Sequence, residues 1–266
     1  SWCSECCTVQ PISSPTNDRH TALAAVNECA RVYLTTPCLN AKDTIDQTIL
    51  SVVSQAAGNF VLRYHVQDGG SSDGTVERLE EWNRALTSAV PSDGCNYRKN
   101  VVFTYSSGTD TGMYDAIARG FEYMNVPPTA MIGWINADDI LFPGAIPSLV
   151  RIFRNCPDIH WITGHNCLLG YRGEIIGYND ESTPTEYVRA GFCDNQHWRF
   201  VQQEGTFFRK WLWDIVGGFD ANLRYAADWD IWRRFAGHAK LVHFAGPVGA
   251  FRMRPGQISS NQNDYM

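Results

Sequence analysis

Dense runs of lysine or arginine are missing from this 266-residue sequence, and its formal net charge of -6 offers no basic field to a nucleic acid or an anionic membrane. Long apolar runs are missing too. No window reaches the roughly 20 uninterrupted apolar residues that a membrane span needs. No basic segment followed by an apolar one opens the chain, so no secretory leader is expected. A start at Ser1 rather than Met is what an excised part of a longer protein would show. Internal repeats and low-complexity tracts are also lacking, which excludes solenoids and linker-like segments.

What is present reads as an ordinary globular protein. Hydrophobic residues at 44% and charged residues at 19% suffice for a sizeable core, as one large domain or two fused halves. The nine cysteines are odd in number and mostly scattered through apolar segments, as Cys38, Cys156 and Cys167 are. Reduced thiols in a cytosolic protein are therefore expected. Cys3, Cys6 and Cys7 form the exception, since a Cys-x-x-Cys pair can bind zinc or redox-cycle, but no second pair follows at a recognisable spacing.

Residues 1–30 carry Pro11, Pro15 and several small polar residues, an irregular lead-in with a short helix expected near Ala22–Ala30. Arg31–Thr36 reads as a first strand closed by Pro37. Asp43 then opens a helix with Ile45, Ile49, Val52 and Val53 at helical spacing, ending near Gly58. Phe60–Val66 is a second strand, followed by a glycine-rich loop and a helix with Val76, Leu79, Trp82 and Leu86 on one face. Val101–Tyr105, a helix over Tyr114–Met124 and the strand Met131–Ile135 continue the alternation. Strand and helix alternate four times, which marks a parallel α/β sheet. After a helix over Gly144–Asn155 the pattern changes to short strands, Trp161–Gly164, Cys167–Tyr171 and Glu174–Tyr178, with a hairpin turn at Arg172-Gly173. Residues 31–143 and 144–266 are thus expected to form two halves of one globular domain with a cleft between them.

The stretch Trp134-Ile135-Asn136-Ala137-Asp138-Asp139 organises this reading. An apolar strand stops abruptly at two adjacent carboxylates, and ligands of open α/β sheets sit outside the carboxyl ends of strands. Acidic residues there suit a hard cation that carries a phosphate, although a helix-capping turn would use the same residues. Asp68 is open to the same two readings, as a ligand for a base or ribose or as part of a turn. Pro37 to Asn40, Asp68, Asp110 to Gly112 and Asn136 to Asp139 all fall at the ends of successive expected strands. Unrelated turns explain that coincidence poorly.

The series Leu34-Thr35-Thr36-Pro37-Cys38-Leu39-Asn40, Val66-Gln67-Asp68-Gly69-Gly70-Ser71-Ser72-Asp73-Gly74-Thr75, Gly112-Met113-Tyr114-Asp115-Ala116 and Asn136-Ala137-Asp138-Asp139 resembles the family 2 glycosyltransferases. The resemblance continues through Gln202-Gln203-Glu204-Gly205-Thr206-Phe207-Phe208-Arg209 and Gly217-Gly218-Phe219-Asp220 to Ala227-Asp228-Trp229-Asp230, about residues 31 to 257. It implies a glycosyltransferase A fold, a mainly parallel Rossmann-like sheet flanked by helices with a smaller mixed acceptor-side region. It further implies an inverting transferase that moves a sugar from a nucleotide-diphosphate donor to a hydroxyl of a glycan or lipid-linked glycan, as in polysaccharide biosynthesis.

Residue by residue, the resemblance places Pro37, Leu39, Asp68 and Asp110 around the nucleoside, with Asn136 opening a variant of the family's metal motif. Asp138, helped by Asp139, would hold Mn or Mg, and Asp228 matches the general base. The bland reading makes Asp228 the cap of a helix through Ile231, Trp232 and Phe235. Gln203 and Glu204 are expected to face the cleft, unless Glu204 pairs with Arg209. Of Trp198, Trp229 and Trp232, one is expected to give an acceptor sugar an apolar face. Arg254 stands where the family often has a histidine, so it could contact diphosphate but not ligate a metal. Ala118 and Arg119 replace the family's usual Asn and Lys, with no evident chemical consequence.

Two rivals remain at this level. A nucleotidyltransferase would share the sheet, but its glycine-rich phosphate loop is missing after the first strand. The other is a non-catalytic nucleotide- or glycan-binding domain of a larger synthase. A lipid-linked acceptor would bring a cytoplasmic protein to the inner face of a membrane, yet no basic amphipathic helix announces this.

Overall fold

The computed structural model describes residues 30–55, 59–87 and 100–254. The lead-in helix near Ala22 and the cluster of Cys3, Cys6 and Cys7 lie outside the described residues, whereas the helix expected to end near Gly58 ends at Val53, with Ser54 as its cap. Among the described residues, Cys38, Cys156, Cys167 and Cys193 are free thiols.

Four parallel strands, β1 (Ala30–Cys38), β2 (Phe60–Asp68), β3 (Val101–Ser107) and β4 (Met131–Trp134), lie in the order β3-β2-β1-β4. Side chains alternate across each strand, so one sheet feeds two cores. Val32 and Leu34 turn to one face and Tyr33 to the other; Met131 joins the first, Ile132 and Trp134 the second. On the first face pack α1 (Ile45–Val53), α2 (Thr75–Thr87) and α4 (Ala145–Asn155), through Ile45, Ile49, Leu79, Ile146 and Leu149. On the second lie α3 (Met113–Tyr123), α6 (Lys210–Val216) and α7 (Ala227–Phe235), through Ile117, Phe121, Leu212, Ile231 and Phe235. Each helix presents apolar residues three or four apart, which is why it lies flat on the sheet.

Pro37 does not close β1, which runs on to Cys38 in register with Gln67 and Asp68 of β2. The physical reason lies in parity. Thr35 and Pro37 face the β4 side, and β4 pairing has ended at Thr35, so a missing N–H at Pro37 breaks no ladder bond.

The second half adds β5 (Ile140–Leu141), β6 (Trp161–Leu169), β7 (Ile175–Asn179), α5 (Thr185–Ala190), β8 (Thr206–Arg209), β9 (Leu241–Pro247) and β10 (Gly249–Arg252). β8 pairs antiparallel with both β4 and β6, so one sheet carries both halves. The two short strands expected at Trp161–Gly164 and Cys167–Tyr171 are one strand, β6, whose register with β9 shifts between Thr163 and His165. Gly164 makes this possible: a Cβ there would press on Val248 and on the Gly246 carbonyl.

Aromatic rings fill the second core. Trp232 stacks on Trp134 at 5.2 Å between centroids and on Trp161 at 5.9 Å, which makes it core rather than an acceptor surface. Among the described residues no helix is long and apolar enough to cross a membrane.

Candidate active site

The chain steps outward from β1 to β2 to β3, then returns to the opposite side of β1 for β4. That reversal opens a crevice beyond the carboxyl ends of β1 and β4. Register sets what lines it: Cys38, Asp68 and Ser107 lie side by side, and Trp134 pairs with Thr35 just before Asn136.

Asp68 is fully buried, and its carboxylate is drawn into its own loop. Gly70 N–H and Ser71 N–H each donate to Oδ2 at 3.0 Å, Ser107 Oγ donates at 2.6 Å, and Ser71 Oγ donates to Oδ1. The turn reading is therefore realised at the carboxyl end of β2. Asp110 lies over Gly69, where a Cβ would meet its Oδ2 at 2.8 Å, and accepts Gly112 N–H at 3.0 Å. Pro37 is buried, whereas Leu39 is 60% exposed. Asn40 clips the β1–α1 loop to the glycine-rich loop, since its N–H donates to Ser71 Oγ and its Oδ1 accepts Ser72 N–H.

The turn after β4 is held from α1. Thr48 Oγ1 donates to the Asp139 carbonyl at 2.8 Å, Ser51 Oγ accepts Leu141 N–H, and Gln55 Nε2 donates to the Phe142 carbonyl. Thr48 and Ser51 lie three apart on one face of α1, and Gln55 follows in the turn at its end. Asp138 points toward the segment just after β10, where Arg254 Nε donates to its Oδ2 at 2.6 Å. Asp139 is fully buried and accepts Arg252 N–H on Oδ1 at 2.8 Å, while its Oδ2 has no partner. Burial, then the nearby Glu204 and Asp138 charges, push its carboxyl well above the usual range.

Glu204 sits in the 3-10 turn Gln203–Gly205 that leads into β8, 1% exposed and with Oε1 unpartnered. Gly249 of β10 presses on its backbone so closely that no Cβ would fit there. Burial pushes its carboxyl up to about 8, with Asp228 and Asp138 adding to the rise. The alternative partner Arg209 is engaged elsewhere, donating to the carbonyls of Ile159, Thr129 and Phe153. Gln203 is buried, and its Oε1 accepts the Trp134 indole N–H rather than facing open cleft.

Asp228 is not the helix cap. Ala226 occupies that position in a left-handed conformation, φ 55°, and Asp228 lies in the first turn of α7. It is 9% exposed and accepts Tyr114 Oη on Oδ1 at 3.2 Å. Burial pushes its carboxyl up to about 6, against hydrogen bonds from Trp229 N–H and Tyr114 that lower it. A carboxylate titrating there is suited to accept a proton near neutrality.

Trp229 and Trp198 sit on the α7 side. Arg233 lies over the Trp229 ring at 4.7 Å, and Trp198 packs edge-on against Tyr187 at 5.1 Å. Trp198 borders a shallow hollow of about 250 Å³ with Glu181, Asn195, Gln196, His197 and Arg199. A larger cavity of about 470 Å³ opens between the β1–α1 loop, Tyr171 and Arg254.

Could these residues hold a divalent cation? Among the described residues, no three carboxylate, histidine or cysteine side chains converge on one point. The donors nevertheless match a hard ion in kind, with Asp138, the buried Asn136 Oδ1 and Asp139 Oδ2 all oxygen, the last two unpartnered. They fit a cation held by one carboxylate and completed by phosphate oxygens of a ligand. Sequence reasoning missed Tyr114, Gln47 and Arg252. Arginines two apart at a strand end, which share one face, were the available signal for the last.

A family model described as Glycosyl transferase family 2 matches residues 34–216. A search of curated proteins by sequence found no match. Among solved structures, S. aureus TarS 1-349 in complex with UDP-GlcNAc superposes with a TM-score of 0.62 at 12% identity, over 87% of this chain and 61% of that one. The mannosyltransferase PcManGT from Pyrobaculum calidifontis, in complex with GDP-Man and Mn2+, gives 0.60 at 13% identity, over 91% and 65%. The chain thus spans less than two thirds of the length of either, and at these identities the likeness shows the fold.

Proposed function

We propose, from the premise that this chain belongs to glycosyltransferase family 2, that it moves a sugar from a nucleotide-diphosphate donor to a hydroxyl of a glycan or lipid-linked glycan, with inversion. One observation carries the reading. Asp228, buried and with its carboxyl raised to about 6, stands at the start of α7 near Glu204, whose turn leads into β8 and whose carboxyl also feels Asp138 beyond β4. A base placed there removes the acceptor's proton as its oxygen forms the new bond to the anomeric carbon and the diphosphate departs with the old bond's electrons. General-base help of this kind is worth about 10² to 10⁴ in rate.

The donor's nucleoside end is assigned to the crevice beside Pro37, Leu39, Asp68 and Asp110, and its diphosphate to the neighbourhood of Asp138 and Arg254. Asp138, with Asp139 behind it, would hold Mn or Mg, which neutralises charge on a leaving diphosphate. Arg254 adds a cation that needs no metal. Trp198, Trp229 and Glu204 are assigned to the acceptor side, where the α7 face meets the crevice, with Gln203 behind them.

Product analysis tests the class of reaction. Incubation with nucleotide sugars should release nucleoside diphosphate, whereas pyrophosphate release from sugar phosphate and nucleoside triphosphate would mark a nucleotidyltransferase. Tight binding of UDP-, GDP- or dTDP-sugars with no turnover on any acceptor would favour the non-catalytic reading.

A further inference from the structure

Arg252 is 3% exposed and ties three separate segments to its own strand. Its backbone N–H donates to Asp139 Oδ1 at 2.8 Å, and its Nε to the Asp138 carbonyl at 2.7 Å. Nη2 donates to Gln47 Oε1 on α1 at 2.9 Å, and Nη1 to the Tyr171 carbonyl in the β6–β7 turn at 3.4 Å. A guanidinium is the side chain that offers five donors in a rigid planar fork from a single point. Three of its hydrogen bonds end on neutral oxygens of parts that share no local structure.

We infer that Arg252 is a positioning residue, which holds the Asp138–Asp139 turn at a fixed place relative to α1 and the Tyr171 turn. The inference rests on the reading of that turn as the donor-diphosphate site. Arg252 and Arg254 stand two apart on an extended segment and so share a face, yet they divide the work. Arg254, 39% exposed at its side chain, meets the Asp138 carboxylate, and Arg252 holds the backbone that carries it. Because Tyr171 also walls the 470 Å³ cavity, the same fork ties the cavity wall to the acid turn.

The test compares wild type, Arg252→Lys, which keeps the charge but loses the fork, and Gln47→Ala, which removes one of the fork's acceptors. Amide hydrogen exchange is read over 139–142 and 170–173, with β1 and β2 as internal reference. Expected are rates at least tenfold faster in both segments for Arg252→Lys, a smaller rise in 139–142 for Gln47→Ala, and unchanged rates in β1 and β2. Transfer by folded Arg252→Lys should also fall about 10²-fold in kcat with acceptor KM little moved, as an ångström-scale misplacement of a catalytic group would produce. Wild-type exchange in both segments would overturn the inference, and so would a rise spread evenly over the sheet, which marks a merely structural role. If wild type transfers no sugar, the functional reading fails, and the exchange data still decide the role of Arg252.

Discussion

Tyr114 Oη stands 3.2 Å from Asp228 Oδ1, so a phenol on α3 donates to a carboxylate on α7 from 114 positions away in the chain. The bond stabilises the ionised form of Asp228, opposing the larger effect of burial. Tyr114→Phe should therefore move the acid limb of the kcat/KM profile to higher pH. The rate should fall most between pH 6 and 7 and recover above it. A pH–rate series on both proteins checks this, and an unmoved limb would detach Tyr114 from the base.

Asp228→Asn keeps the shape of the side chain and removes its basicity. Transfer should drop about 10² to 10⁴-fold while binding of UDP or GDP, followed by calorimetry, stays within about twofold. Equal rates in the two proteins would remove Asp228 from the role of base.

Asp138→Asn tests the cation. If Asp138 holds Mn or Mg, the gain in nucleotide affinity that manganese confers on wild type should vanish in the variant, leaving the metal-free affinity. A gain that persists in full would shift the diphosphate-neutralising role to Arg254.

Stability should depend on pH in a direction set by the buried carboxyls of Asp139, Glu204 and Asp228, all raised by burial. Folding raises Glu204 to about 8 and Asp228 to about 6, from ordinary values of 4.5 and 3.8. Between those limits the folded chain keeps protons that the unfolded chain has lost. As far as these groups decide it, stability is then greatest below about pH 4, declines as pH rises from there to about 8, and levels off above. Glu204→Gln should flatten part of the decline, as urea unfolding at pH 5 and pH 8.5 would show. An equally steep decline in the variant would mean that Glu204 is not the source.

The aromatic core gives a prediction independent of function. Trp232 is sandwiched by Trp134 and Trp161, and Trp134 in turn donates its indole N–H to Gln203 beside Glu204. Trp232→Ala should cost about 3–5 kcal/mol by leaving a cavity in this stack. Denaturant unfolding measures it, and a loss below about 1 kcal/mol would mean that the neighbouring rings collapse into the space.

The sequence alone already displays the sheet. Val32, Leu34, Ile45, Ile49, Leu62 and Ile146 recur at strand or helix periods, and those periods are local properties of the backbone. The carboxylates of Asp68 and Asp138 are likewise visible at the ends of apolar runs, because strands stop where polar groups need solvent or a ligand. Local periodicity weakens beyond Asn155, where short strands pair with partners distant in sequence. β6 consequently reads as two pieces, and β9 and β10 leave no clear trace.

What only the tertiary structure decides is which polar group meets which. Arg252 and Asp138 lie 114 positions apart, as Tyr114 and Asp228 do, and no spacing encodes either meeting. Which carboxyl keeps a proton follows the same rule. Asp139 and Glu204 are acids like any other until burial strips their water and sets one charge beside the next. Sequence determined the strands and the acids at their ends, since neighbours along the chain suffice for that; desolvation and long-range contact, which exist only after folding, decided their chemistry.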